Sequence, residues 1–261
     1  MITFTTAELN ALITAFLYPL SRILALFIAA PPFNNASLPG RVRMMLGLAA
    51  TVAIMPAMAT PGMIPEVAPA SAAGLLILAE QMLIGYAMGF SMRLSFAAID
   101  LSGNAFSTQM GLGFATSYDP TSASQTAVVS ELIGILALLM FLSIDGHLMI
   151  LSTLEQSFYA LPVGVLPKSP SWANLAHAGA IVFSGGLLLA LPIIVALFIT
   201  NTALGILARV APQLNIIVIG FPVTITLGFA ALYVCMPYLA NPLLRLFETG
   251  IVSMLGNLVV R

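Results

Sequence analysis

Charge is what this chain has least of. Only 7% of its 261 residues are Asp, Glu, Lys or Arg, eight basic and nine acidic, which leaves a formal net charge of −1 and a pI near 6.0. Without a basic field, nucleic-acid binding is excluded as its main business. A lone cysteine, Cys235, permits no internal disulfide. No cation precedes Arg22, so the N-terminus lacks the positive region of a cleaved signal peptide, and the first apolar segment is expected to remain in the mature protein. The chain has no GxxxxGK phosphate loop, no HExxH pair and no cysteine cluster. No cofactor and no metal is therefore expected, and energy for any transport has to come from partners or an ion gradient. No nucleophile and base pairing is visible either, so no enzyme is expected.

What the chain has in abundance is apolar sequence: 60% of its residues are hydrophobic and the mean hydropathy is +1.08. Residues 169–208 carry no charged side chain, and neither do residues 210–244. A helix needs about 20 apolar residues to cross a bilayer. The expected class is an all-α integral membrane protein with about six long, kinked hydrophobic helices arranged as hairpins, in a single polytopic domain over residues 1–261. The runs are Leu9–Ala30, Met44–Ala59, Ser71–Ile99, Thr126–Leu154, Leu175–Ala208 and Leu214–Ala240. Proline-rich stretches such as PPFNNASLPGRVR, PGMIPEVAP and YALPVGVLPKSPSW separate them and read as loops. The last two runs flank ARVAPQLN, whose Arg209, Pro212, Gln213 and Asn215 make the turn of a helical hairpin. Pro192, Pro222 and Pro237 predict kinks within it. The tail from Asn241 to Arg261 is amphipathic and could lie on the membrane or pack on a partner.

Several polar residues interrupt the runs and are candidates for buried or interhelical contacts: Arg22, Glu80, Arg93, Glu131, Asp145 and His147. A cation at membrane depth either snorkels to an interface or forms half of a buried pair, and Arg22 is open to both readings. Glu80 fits an interface near a helix end as well as a pore-facing position. Asp145 and His147, two residues apart, do not share a helical face, which favours a helix break or a local polar contact over a metal site. Gly85-x-x-x-Gly89 marks a surface where another helix comes close. The densest polar stretch is QMGLGFATSYDP, from Gln109 to Pro120, with long apolar sequence on both sides. In lipid, irregular backbone has to be sheltered inside protein, so this stretch is either a surface connector or a sheltered loop lining a pore.

QMGLGFATSYDP, APPFNNASLPGRVR, DGHLMILSTLEQSFYALPVG and RVAPQLNIIVIGFP together resemble the signature segments of the FliR family of flagellar biosynthetic proteins and its injectisome counterparts. They occur in the family's order and are spread over most of the chain. The family usually has Asn-Gly-His where this chain has Asp145, Gly146 and His147. The resemblance implies a subunit of the type III export gate in the bacterial inner membrane at the flagellar basal body, without a catalytic site. FliP and FliQ are the implied partners in a hetero-oligomer, FlhB and FlhA further partners, and unfolded flagellar proteins the cargo. It also implies a FliP-like part over residues 1–170 and a FliQ-like hairpin over 171–240. A plug loop that closes the pore falls on Gln109, Met110, Gly111, Gly113, Phe114, Asp119 and Pro120. The rival reading is a secondary transporter with broken helices, which should show two related halves; no convincing internal repeat is visible.

Overall fold

The computed structural model describes residues 6–34, 38–58, 65, 67–112, 127–165, 172–213 and 216–256. Among them are eight α-helices and no strand: α1 (Thr6–Ala29), α2 (Gly40–Ile54), α3 (Ala72–Gln109), α4 (Val128–Ser143), α5 (Gly146–Ala160), α6 (Trp172–Ala178), α7 (Ala180–Val210) and α8 (Ile216–Gly256). The protein is thus an all-α, membrane-class protein. Four helices have segments long and apolar enough to cross a bilayer, Asn10–Ala29, Ala72–Gln109, Asn174–Val210 and Ile219–Gly256, and the pair α4 and α5 would make a fifth if counted as one broken span.

About six long hydrophobic helices were expected; the runs do form helices, and two of them fall short of a single straight span for local reasons. The second run yields only 15 helical residues before a short 3-10 turn at Met55–Met58, which contains Pro56. At 1.5 Å per residue it covers about 22 Å, short of the roughly 30 Å hydrocarbon core. The fourth run breaks at Asp145, whose backbone is left-handed (φ 56°, ψ 28°). It is the one non-glycine residue with positive φ among the described residues, and Asp is among the few side chains that tolerate this conformation. The Asp145 carbonyl then accepts the Leu148 and Met149 N–H groups and starts α5. The expected helix break is therefore present. The last run goes further than its hydropathy suggested: α8 continues past Pro237 and Pro242 to Gly256, so residues 241–256 extend the helix.

The chain divides into two compact units. The first comprises Met1–Leu94, Ile144–Ala178 and Thr249–Arg261. In it α3 lies against α1 through the Gly85-x-x-x-Gly89 pattern. A Cβ on Gly85 would collide with the Arg22 carbonyl oxygen, and one on Gly89 would come within 2.7 Å of the Leu26 carbonyl oxygen. Helix α2 packs on α1 with the buried Gly47 facing Leu24. Tyr18 donates a hydrogen bond to the Val67 carbonyl at 2.9 Å, tying α1 to the segment that leads into α3.

The second unit comprises Ser95–Ser143 and Gly179–Glu248. Its centre is an aromatic trio, Phe96, Phe141 and Phe247, with ring centroids 5.1–5.8 Å apart, from α3, α4 and α8. Edge-on and tilted rings at this spacing add about 0.5–1.5 kcal/mol per pair to the burial itself. A Cβ on Gly185, near the start of α7, would meet Leu246, near the end of α8, at 2.6 Å. The two helices are therefore antiparallel, as the hairpin reading requires. Ser130 of α4 donates to the Asp100 carbonyl of α3 at 3.1 Å, next to the close approach of Gly103 to the Ser130 backbone.

Candidate functional site

Two places carry the sequence's polar candidates, one in each unit. In the first unit Arg22 is fully buried and its guanidinium is spread over four acceptors. Nε donates to Gln81 Oε1 at 2.8 Å, and Nη2 donates to the Leu161 carbonyl at 2.9 Å. Nη1 reaches both the Ser157 carbonyl (3.1 Å) and the Ser157 hydroxyl (3.2 Å). Ser157 and Leu161 lie at the C-terminal end of α5, where the dipole end is negative; the Ser157 carbonyl already accepts the Leu161 N–H at 2.9 Å, and the guanidinium is a second donor to it. Arg22 therefore caps α5 from α1. The Phe158 ring lies below the cation, 4.3 Å from centroid to Cζ, a cation–π contact made stronger by desolvation.

Of the two readings open for Arg22, the snorkelling one is excluded by burial, and the buried one takes a particular form. The direct hydrogen-bond partners are neutral. Glu80 interacts with the guanidinium electrostatically and is half-buried, yet its Oε1 has no hydrogen-bond partner. Gln81, the next residue, supplies the bond. Neither Gln81 nor Ser157 was singled out in the sequence. The available signal was the DGHLMILSTLEQSFYALPVG segment, which holds Ser157, Phe158 and Leu161 together.

The other interhelical candidates do not join this cluster. Arg93 is exposed on α3, and Glu131 is exposed in the first turn of α4, where a carboxylate suits the positive dipole end. Asp145 is exposed at its left-handed position. His147 is half-buried with Nδ1 unpartnered. Among the described residues no three of His, Cys, Asp and Glu approach closely enough to hold a metal ion. In the hairpin turn Arg209, Pro212 and Gln213 are exposed, and Asn215 lies outside the described residues.

In the second unit stands the start of the stretch that opens at Gln109, which is half-buried and the last residue of α3. The helix ends there by a Schellman motif: Leu112 N–H bonds the Ser107 carbonyl at 2.9 Å and Gly111 N–H bonds the Thr108 carbonyl at 3.1 Å. Gly111 has φ +79°, the left-handed conformation that this cap demands of the residue after the helix and that glycine adopts without cost. Gly111, which the resemblance places in a plug loop, is in this structure a helix stop.

Met110 is 1% exposed and rests on α8. A Cβ added to Gly228 would come within 2.5 Å of its Cγ, 2.8 Å of its Cε and 3.0 Å of its Sδ. Thr224 shares its hydroxyl proton between the Phe221 carbonyl of its own helix at 3.0 Å and the Met110 carbonyl at 3.3 Å, and the Phe221 ring sits 3.4 Å from where a Gly111 side chain would begin. Phe221, Thr224 and Gly228 follow one another at i, i+3 and i+7, one face of a helix. They went unnoticed in the sequence, where Gly228 is a lone glycine inside a long apolar run. Gly113, Phe114, Asp119 and Pro120 lie outside the described residues.

Residues 13–250 match the family described as bacterial export proteins, family 1. The flagellar biosynthetic protein FliR of Pectobacterium carotovorum subsp. carotovorum is 44% identical over 241 residues, 91% of this chain and 90% of the relative. That of Escherichia coli (strain K12) is 38% identical over 260 residues, 99% of this chain and 98% of the relative. The FliR protein of Bacillus subtilis (strain 168) is 29% identical over 247 residues, 93% and 94% of the two chains.

Proposed function

The chain belongs to the bacterial export proteins of family 1, and on that premise we propose that it is a core subunit of a flagellar type III protein-export gate in the bacterial inner membrane at the basal body. It works there as a structural and transport component without catalysis. With FliP- and FliQ-type subunits it forms the channel through which unfolded flagellar proteins leave the cytoplasm, and it docks to FlhB and FlhA. The segment from Gln109 to Pro120 is the plug that closes the channel at rest.

The observation that supports the multi-subunit reading is the length of the helices and the surface they leave uncovered. Helix α3 runs for 38 residues and α8 for 41, about 57 and about 62 Å of helix at 1.5 Å per residue. A hydrocarbon core is only about 30 Å thick. Apolar side chains stay exposed along α8 from Ile219 through Phe229, Tyr233 and Tyr238 to Val252, about 50 Å of helix. Lipid does not cover that much helix. The exposed Asn201, flanked by Thr200 and Thr202 on α7, favours protein over lipid, because an outward amide in hydrocarbon lacks a partner.

Purification of the tagged chain in mild detergent is expected to bring down two small hydrophobic subunits in a stable complex. A chain that purifies alone and by itself drives substrate uptake into liposomes would overturn the gate in favour of a transporter. Deleting residues 113–117 is expected to leave the complex assembled and make it leak ions. An assembled deletion complex that stays tight would remove the plug from the proposal.

A further inference from the structure

The close glycine contacts of this chain are of two kinds. Gly85, Gly89 and Gly103 face the backbone of a neighbouring helix, so they set helix spacing and nothing can give way. Gly228 is buried too, but what lies on it is the side chain of Met110, with three of its heavy atoms within 3.0 Å of the missing Cβ. Methionine is unbranched and polarizable, the side chain best able to shift over a surface without losing contact. Apart from the Thr224 hydroxyl, shared between the Met110 carbonyl at 3.3 Å and the Phe221 carbonyl at 3.0 Å, the contact is apolar, and no charged pair locks it.

We infer that Gly228 and Thr224 of α8 are positioning residues for the gate: they seat Met110 and fix the place where α3 hands the chain on to the segment beyond Leu112. This rests on the proposed role of that segment as the closure. The Schellman cap makes Ser107 to Leu112 a stiff corner, so a displacement of Met110 moves the whole corner and does not dissipate in a flexible turn. A shift of α8 by part of a helical turn carries Phe221, Thr224 and Gly228 together, since they lie on one face, and takes Met110 with it. The hairpin thereby controls the base of the segment through Met110.

The test uses the assembled complex and reads resting ion leak, with the amount of assembled complex as the control for folding. Gly228→Ala is expected to raise leak about tenfold at unchanged assembly, and Met110→Ala to raise it less. The double variant has no Cγ to collide with the new methyl, so its leak is expected to fall about tenfold below the product of the single effects, the range typical of side chains in direct contact. Effects that simply multiply, or an assembled Gly228→Ala complex without added leak, would overturn the seat.

A second arm does not depend on a buried methyl being tolerated. Cysteines at Met110 and Gly228, in a background where the free Cys235 is replaced by Ser, are expected to cross-link under mild oxidation and stop export until a reductant is added. Cross-linked complex that exports at the full rate would also overturn the inference. The two proposals fail separately: a tight residue 113–117 deletion removes the plug, whereas a leaky deletion combined with a tight Gly228→Ala complex removes only the seat.

Discussion

Arg22 and Met110 are both long, unbranched and fully buried, yet the structure holds them by opposite means. Arg22 makes four hydrogen bonds and a cation–π contact to groups on α3 and α5. Met110 is held by shape, in the space left by a glycine, with one long hydrogen bond from Thr224 to its carbonyl. Breaking the first leaves a buried charge unpaired, or Gln81 Oε1 and the Leu161 carbonyl without this donor, which is costly throughout its path. Breaking the second costs only contact, and contact is regained wherever the side chain next fits. A protein that has to keep its frame rigid while one segment moves benefits from having both kinds of anchor.

The comparison breaks most visibly at Arg22. Arg22→Ala leaves buried neutral acceptors without their donor and opens a cavity, and is expected to cost about 2–5 kcal/mol, seen as a lower thermal midpoint of the purified complex and less of it in the membrane. The complex that survives should be no leakier per particle. Leak per particle that rises with Arg22→Ala would show that the network belongs to the gate.

Two matched glycines sharpen the contrast next. Gly111 (φ +79°) and Gly164 (φ +80°) share a left-handed backbone, one in each unit. Replacing either by alanine is expected to cost about 1–2 kcal/mol in strain, with Gly164 at the upper end because Pro65 Cγ lies 3.2 Å from the new methyl. Only the Gly111 variant should raise resting leak. Equal leak from both would mean that strain anywhere opens the channel.

The smallest expected effect is that of Thr224→Val, which deletes the hydroxyl that reaches the Met110 carbonyl. It should lower stability by about 0.5–1.5 kcal/mol, the net worth of one such bond, and raise leak less than Gly228→Ala does. A Thr224→Val complex as leaky as Gly228→Ala would shift the seat from packing to the hydrogen bond.

Much of this was legible beforehand, and the exceptions share a cause. The Gly85-x-x-x-Gly89 face, the antiparallel hairpin and the break near Asp145 follow from residue spacing and local backbone preference, which sequence reports directly. The end of the last run was misjudged because proline in an apolar helix does not always stop it: α8 passes Ala240 and runs through Pro242 to Gly256. The partners of Arg22 were out of reach for a different reason. Gln81, Ser157 and Leu161 lie 59 to 139 positions away, and no local pattern ties them to a cation on α1.

By itself, then, the sequence determined the class of the protein, its helical runs and the polar stretch at Gln109, since these depend on composition and on periods of a few residues. Tertiary structure alone decided whether Arg22 meets water, an acid or a helix end, and that a lone glycine at position 228 is the place where Met110 rests. Those outcomes are set by which helix faces meet, and that depends on packing among residues far apart along the chain.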